Sequence, residues 1–172
     1  MIGSTNFASK RNFVRHFKFL RQEALPTDTN VDALIGACKN MGMSKTGAIL
    51  VIERTNNLDF VRTSGDKMNI EITQPIIESI FYKNSPLHDG AAIVQDNFIT
   101  ATRVILPVSN ERSIPLRFGL RHRAAVGITE KTDAICLVVS EETGLISYIK
   151  GGEFIRYKGL EELTELIKKD LT

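Results

Sequence analysis

The spacing of apolar residues changes character several times along the chain, and each change marks an element. Val31, Leu34, Ile35 and Cys38 fall at i, i+3, i+4 and i+7, one buried helical face, with Gly42 as its stop. Gly47–Glu53 is a short, β-branched apolar run, the pattern of a buried strand, and Asn56-Asn57 then reads as a hairpin turn into Leu58–Val61. Thr73 is placed to cap a helix with Pro75 in its first turn and Ile76, Ile77, Ile80 and Phe81 facing the core. Beyond Asn84-Ser85-Pro86 the pattern becomes that of strands, with Ala91–Gln95 and Phe98–Leu106 flanking a tight turn at Asp96-Asn97. Pro107–Pro115 reads as loop, and a short helix through Arg117–Val126 is expected to end at Gly127. Ala134–Val139, Leu145–Lys150 and Glu153–Tyr157 are predicted strands, joined by turns at Glu142–Gly144 and Gly151-Gly152, and Glu161–Leu171 is a closing amphipathic helix. Helices and strands alternate irregularly and include hairpins. The pattern therefore predicts an α/β fold: a single globular domain with a central mixed β-sheet flanked by helices.

The chain has 172 residues, the length of one ordinary domain. Its visible joint is Leu25–Asn30, where Pro26 and a polar stretch separate residues 1–29 from a body of residues 30–172. An apolar share of 42% beside 24% charged residues excludes a disordered or fibrous chain. Apolar runs such as Ala48–Ile52 are far shorter than the about 18–20 residues that cross a bilayer, and Met1–Arg15 has no apolar stretch of the signal-peptide kind. Cys38 and Cys136, each in an apolar stretch, read as reduced core thiols of a soluble, intracellular protein. Residues 1–25 hold five basic side chains against one acid, Glu23, so this segment carries +4 and the rest of the chain −2. Such a segment reads as a solvated helix face, as a surface beside anionic lipid or a membrane span, or as a nucleic-acid patch. The last is the weakest reading, because no interleaving of basic and aromatic residues continues into the body.

Three polar clusters stand at junctions between elements, where sites are usually presented. In Ser85-Pro86-Leu87-His88-Asp89-Gly90-Ala91, small residues beside a carboxylate allow close approach of a ligand. Asp89 there can orient or deprotonate a hydroxyl, or ligate a metal with His88; the alternative is a turn in which it bonds its own backbone. Leu120-Arg121-His122-Arg123 supplies two planar donor forks suited to phosphate near a helix N-terminus, or else two surface ion pairs. Ser140-Glu141-Glu142-Thr143-Gly144 ends a buried strand with oxygen donors suited to Mg²⁺ or Mn²⁺, or is an acidic turn. Together they suit phosphoryl or nucleotidyl transfer, in which catalysis is mostly positioning and charge neutralisation. No Walker loop, Gly-x-Gly-x-x-Gly run or zinc cysteine set is present in the sequence.

Across about Asn30 to Phe154 the sequence resembles the diadenylate cyclase (DAC domain) family, which makes cyclic di-AMP from two ATP. The resemblance rests on Gly47–Val51, Ser85–Ala91, Leu106-Pro107, Gly119–Gly127 and Val138–Gly144. It is strongest to the membrane-anchored bacterial branch, in which transmembrane helices and a linker helix precede the cyclase domain. It implies that residues 1–29 are such a linker and that the whole protein is held at the cell membrane with this part cytoplasmic. It implies that Asp89 aligns the ribose 3′-OH, with Gly90 and Ala91 shaping the nucleotide cleft. Arg121, His122 and Arg123 would bind triphosphate, Ser140 and Glu141 the substrate, and Leu106 adenine through its backbone. His88, Asp89 and Glu142 would hold a divalent metal, Mg²⁺ or Mn²⁺, with Co²⁺ a further option.

Two positions depart from the family pattern. Leu120 stands where the family has Thr, and Ile105 where many relatives have an aromatic residue against adenine. The implied partners are ATP, a second copy in a face-to-face homodimer and membrane-anchored regulators, with no nucleic acid. Two alternatives remain at this level: a degenerate domain that senses adenine nucleotides without turnover, and a nucleic-acid-binding or nuclease domain using Arg121, His122 and Arg123 on phosphates. The near-neutral body weighs against the second.

Overall fold

The computed structural model describes residues 28–172. The expected basic linker therefore lies, apart from Asp28 and Thr29, outside the described residues. Helix α1 (Val31–Met43) starts where the Asn30 side chain accepts the Ala33 N–H and ends one residue past the expected Gly42, at the Ser44 cap. Its buried face is Val31, Leu34, Ile35, Ala37, Cys38 and Met41, the periodicity already visible in the sequence. Burial pushes the Cys38 thiol up to about 12, so this thiol is an inert packing group.

Strand β1 (Ala48–Ile52) is buried at all five positions because both of its faces are covered. Ala48, Leu50 and Ile52 join a core beneath α1, helix α3 (Gln74–Phe81) and helix α5 (Leu160–Asp170). Ile49 and Val51 join a second core on the opposite face, beneath helix α4 (Leu120–Lys131) and the one-turn helix α2 (Asp59–Arg62). The remaining strands are β2 (Asp66–Glu71), β3 (Ala91–Gln95), β4 (Phe98–Val104), β5 (Ile135–Val139), β6 (Ile146–Lys150) and β7 (Glu153–Ile155). They form one seven-stranded sheet in the order β2-β4-β3-β1-β5-β6-β7. Among the described strands only β1 and β3 pair in parallel; the other neighbours are antiparallel. This is the expected mixed sheet between helical layers.

Three expectations are corrected. Leu58–Val61 is not the second arm of a hairpin. The Asp133 carboxylate accepts the Thr55 and Asn56 N–H groups, and the Asn57 side chain accepts the Asp59 N–H, which turns the chain into α2 instead. The strand that follows is β2, whose alternating Met68 and Ile70 pack on the core. Helix α4 starts and ends later than expected, and Gly127 lies inside it rather than at its end. A Cβ on Gly127 would stand 2.0 Å from the Pro107 carbonyl oxygen, so the glycine admits the loop after β4 rather than stopping the helix. The outer loop is further tied down by Ser109, whose N–H donates to the Arg123 carbonyl and whose hydroxyl donates to Glu130. Strand β4 also ends at Val104, before Ile105 and Leu106.

Candidate active site

Strand directions decide which junctions meet. Strands β1, β2 and β3 begin at one edge of the sheet, and β4 and β5, antiparallel to their neighbours, end there. The residues before β1, β2 and β3 are thus gathered with those after β4 and β5. They line a cleft of about 1060 Å³ that includes His88, Asp89, Gly90, Leu106, Arg121, Ser140, Glu141 and Glu142. Three clusters that are far apart in sequence share one wall system.

Asp89 is exposed into this cleft by a constrained turn. The Ser85 hydroxyl accepts the Leu87 N–H, and His88 Nδ1 lies 2.7 Å from the Ser85 carbonyl oxygen. A carbonyl only accepts, so Nδ1 is the donor here, and the tautomer that this contact selects carries its lone pair on Nε2. Gly90 then adopts φ +103°, and a Cβ on it would stand 2.8 Å from the Arg103 carbonyl carbon. Only glycine lets the Asp89 turn lie this close on β4. Ala91 follows as the first residue of β3, fully buried.

Arg121 sits over the start of β1. A Cβ on Gly47 would fall 2.5 Å from its guanidinium carbon, so Gly47 provides the seat, while Glu141 Oε1 holds Nη1 at 3.3 Å. Arg121 stands in the first turn of α4, whose cap residue Gly119 offers no side chain to the free amides there. The Ser140 hydroxyl accepts the Glu142 and Thr143 N–H groups and shapes the turn opposite. Leu106 is buried on the wall, whereas Leu120 and Ile105, the two departures from the family pattern, are 75% and 72% exposed at the cleft.

The other two members of the arginine motif are placed differently. Arg123 does not line the cleft; its guanidinium makes long contacts of 3.4 and 3.5 Å to the Glu111 and Ile114 carbonyls of the outer loop. His122 is buried on the cleft wall, its ring 4.6 Å from Phe118 and 6.2 Å from Phe154 between centroids. Burial and the neighbouring Arg121 charge push its pKa down to about 4, so the ring is neutral at pH 7. Its Nε2 has no hydrogen-bond partner among the described residues.

For a metal, the donor chemistry fits in part. His88 Nε2 and the adjacent Asp89 carboxylate are two donors suited to a divalent cation that takes its other ligands from phosphate and water. Glu142 lies on the same cleft, yet among the described residues no group of three or more His, Cys, Asp or Glu side chains is arranged to hold a metal ion.

Three residues of the cleft were not singled out from the sequence. Ser64 donates to the Val61 carbonyl and accepts the Ile105 N–H, fixing the strand end that carries Ile105 and Leu106. Arg103 and Asp66 form a two-bond ion pair on the β4–β2 side. The hydrogen-bonded Arg103 guanidinium holds the Asp66 carboxyl below its usual range. No motif marks these residues; only the strand order brings them to the cleft.

A covered mixed sheet with an open cleft at its strand ends, an aspartate on a glycine turn, and an arginine in the first turn of an uncapped helix make an α/β domain whose cleft is suited to phosphate. The family model described as DAC, the DisA bacterial checkpoint controller nucleotide-binding domain, matches residues 35–154, and the chain belongs to that family. A diadenylate cyclase named CdaS from Bacillus thuringiensis is 43% identical over 116 residues, 67% of this chain and 58% of the relative. The cyclic di-AMP synthase CdaA of Bacillus subtilis is 39% identical over 141 residues, 81% of this chain and 51% of the relative. The chain thus spans about half the length of the curated relatives it matches. The crystal structure of a double mutant of DacA from Staphylococcus aureus superposes with a TM-score of 0.79 at 37% identity, covering 82% of this chain and 94% of that one. A hypothetical membrane spanning protein from Bacillus cereus gives 0.71 at 38% identity, covering 81% and 70%. Among the described residues no helix is long and apolar enough to cross a membrane.

Proposed function

We propose that this chain is the catalytic domain of a diadenylate cyclase, condensing two ATP into cyclic di-AMP with release of two pyrophosphates. One observation carries the reading: the glycine-seated turn aims Asp89 into the same cleft in which Gly47 seats Arg121. A nucleophile-handling carboxylate and a phosphate fork are what attack of a 3′-OH on an α-phosphate requires. In each half-reaction the ribose 3′-oxygen bonds to the α-phosphorus, the bond to pyrophosphate breaks, and the hydroxyl proton leaves toward the Asp89 side. Arg121 and the free amides of the first α4 turn take triphosphate charge, with the Ser140 turn opposite; Leu106 and Ile105 offer the apolar wall for adenine. A divalent cation held by His88 and Asp89, with Glu142 elsewhere on the same cleft, would neutralise phosphate charge during transfer. Arg123 supports the outer loop rather than the phosphates, and His122 serves by packing.

A symmetric product needs two such sites. Two domains facing each other across a two-fold axis supply them, each presenting its ATP to the other. Membrane anchoring of the whole protein is proposed on the likeness to the Bacillus cereus protein described as membrane spanning.

Incubation with ATP and Mg²⁺, Mn²⁺ or Co²⁺, followed by separation of the products, should yield cyclic di-AMP and pyrophosphate. Absence of any dinucleotide at high protein concentration would overturn the reading in favour of a nucleotide-sensing domain. Asp89→Asn should abolish synthesis while ATP binding persists, because the carboxylate acts on the nucleophile and its loss falls on kcat.

A further inference from the structure

Arg103 holds a left-handed backbone conformation, φ +54°, which bulky side chains rarely adopt. The register shows why. Val104 pairs with Ala91 and Ala101 with Ile93, so Thr102 and Arg103 together stand opposite Ala92 alone, a β-bulge beside the cleft. Bulges re-aim side chains, and Arg103 lines the cleft directly under the Asp89-Gly90 turn: a Cβ on Gly90 would lie 2.9 Å from the Arg103 Cα. Nε and Nη2 donate to the two Asp66 oxygens at 2.5 and 3.0 Å. Both side chains are open to solvent, 51% and 38% exposed. The Nη1 donors have no acceptor among the described residues.

An exposed cross-strand pair of this kind adds little to stability. It does not account for placing a long cationic side chain at a strained position where glycine would be comfortable. The strand order β4-β3-β1 sets Arg103 on one side of Asp89 and Arg121, over the start of β1, on the other. We propose that Arg103 is a further phosphate-binding residue of the cleft, and that Asp66 is an internal anion whose hold on the guanidinium yields to an arriving nucleotide phosphate. This rests on the ATP reading above and adds a second cationic wall to it. The exchange replaces one carboxylate–guanidinium pair by a phosphate–guanidinium pair of the same two-bond geometry.

The test is calorimetric titration with 3′-deoxy-ATP and Mg²⁺, which binds but cannot condense, using wild type, Arg103→Gly and Asp66→Asn. Adenosine serves as the phosphate-free control. Glycine suits the left-handed position, so Arg103→Gly should keep or raise the melting temperature. Its affinity for 3′-deoxy-ATP should fall roughly tenfold, and Asp66→Asn should bind several-fold more tightly than wild type. Adenosine should bind all three alike. Unchanged 3′-deoxy-ATP affinity in Arg103→Gly, or an equal loss for adenosine, overturns the phosphate assignment. Weakened binding in Asp66→Asn overturns the internal-anion role, because it would make Asp66 a positioning group. Wild type that binds no nucleotide at all defeats the ATP reading itself, an outcome distinct from these.

Discussion

His122 stands between two arginines in a sequence suited to gripping phosphate, yet its ring is buried against Phe118 and Phe154 and its pKa is about 4. The folded state thus prefers the neutral ring, whereas the unfolded chain protonates near the ordinary value of 6.5. Stability from this group is complete above about pH 6.5 and is lost as the pH falls toward 4. Urea melts should show roughly 2 kcal/mol of loss between pH 7 and pH 5 from His122 alone, and His122→Phe should remove that part of the slope. An identical slope in the variant would show that the acid sensitivity lies elsewhere. Gly47 makes the complementary case. Gly47→Ala pushes first on the flexible end of Arg121, so the fold should hold while KM for ATP rises roughly tenfold, about 1.4 kcal/mol. Asp89, Arg121 and Glu141, which share the cleft, stand out in the sequence because each lies in a compact polar cluster at an element junction. Arg103 and Asp66 do not, because the bulge that aims Arg103 arises from the register between β3 and β4, which composition and spacing do not carry.

Among elements, α4 shows how tertiary approach overrides a local rule. A glycine inside a helix costs about 1 kcal/mol relative to alanine, so propensity alone forecasts that Gly127→Ala stabilises. The Pro107 carbonyl occupies the space instead, and backbone oxygen cannot rotate away. Gly127→Ala should therefore destabilise by roughly 1–3 kcal/mol in thermal melts and loosen the outer loop, measurable as faster amide exchange at Ser109. A gain in stability would contradict the packing. For the same reason the sequence pattern predicts too short a helix: Gly127 carries the mark of a stop, and only the returning loop shows its purpose. The hairpin expected at Asn56-Asn57 failed differently. Asn and Asp serve any turn, and here Asp133, far along the chain, captures the Thr55 and Asn56 amides. Elements with an unbroken period, α1, β1, β3, β5 and α5, have ends that the sequence pattern places to within a residue or two.

At the scale of the whole molecule, the two-subunit reaction proposed above would make activity depend on concentration. Specific activity should climb with protein concentration until the dimer saturates, and adding Asp89→Asn subunits should suppress wild-type turnover, because a mixed pair forms one phosphodiester without closing the ring. Activity per subunit that stays flat through dilution, with no suppression by the variant, would exclude the paired arrangement. The sheet order also governs how the chain reaches its native state. Strand β1 lies at the centre, yet Leu50 is opposite Ala92 on one side and Ala48 opposite Val139 on the other, partners lying far later in the chain. Neither edge of β1 can be closed by local contacts, so the entropy of long loops is spent before the central pairing returns anything. Refolding should accordingly occupy milliseconds to seconds rather than microseconds, and a nascent chain released before β5 is made should leave a wholly apolar strand open to other chains.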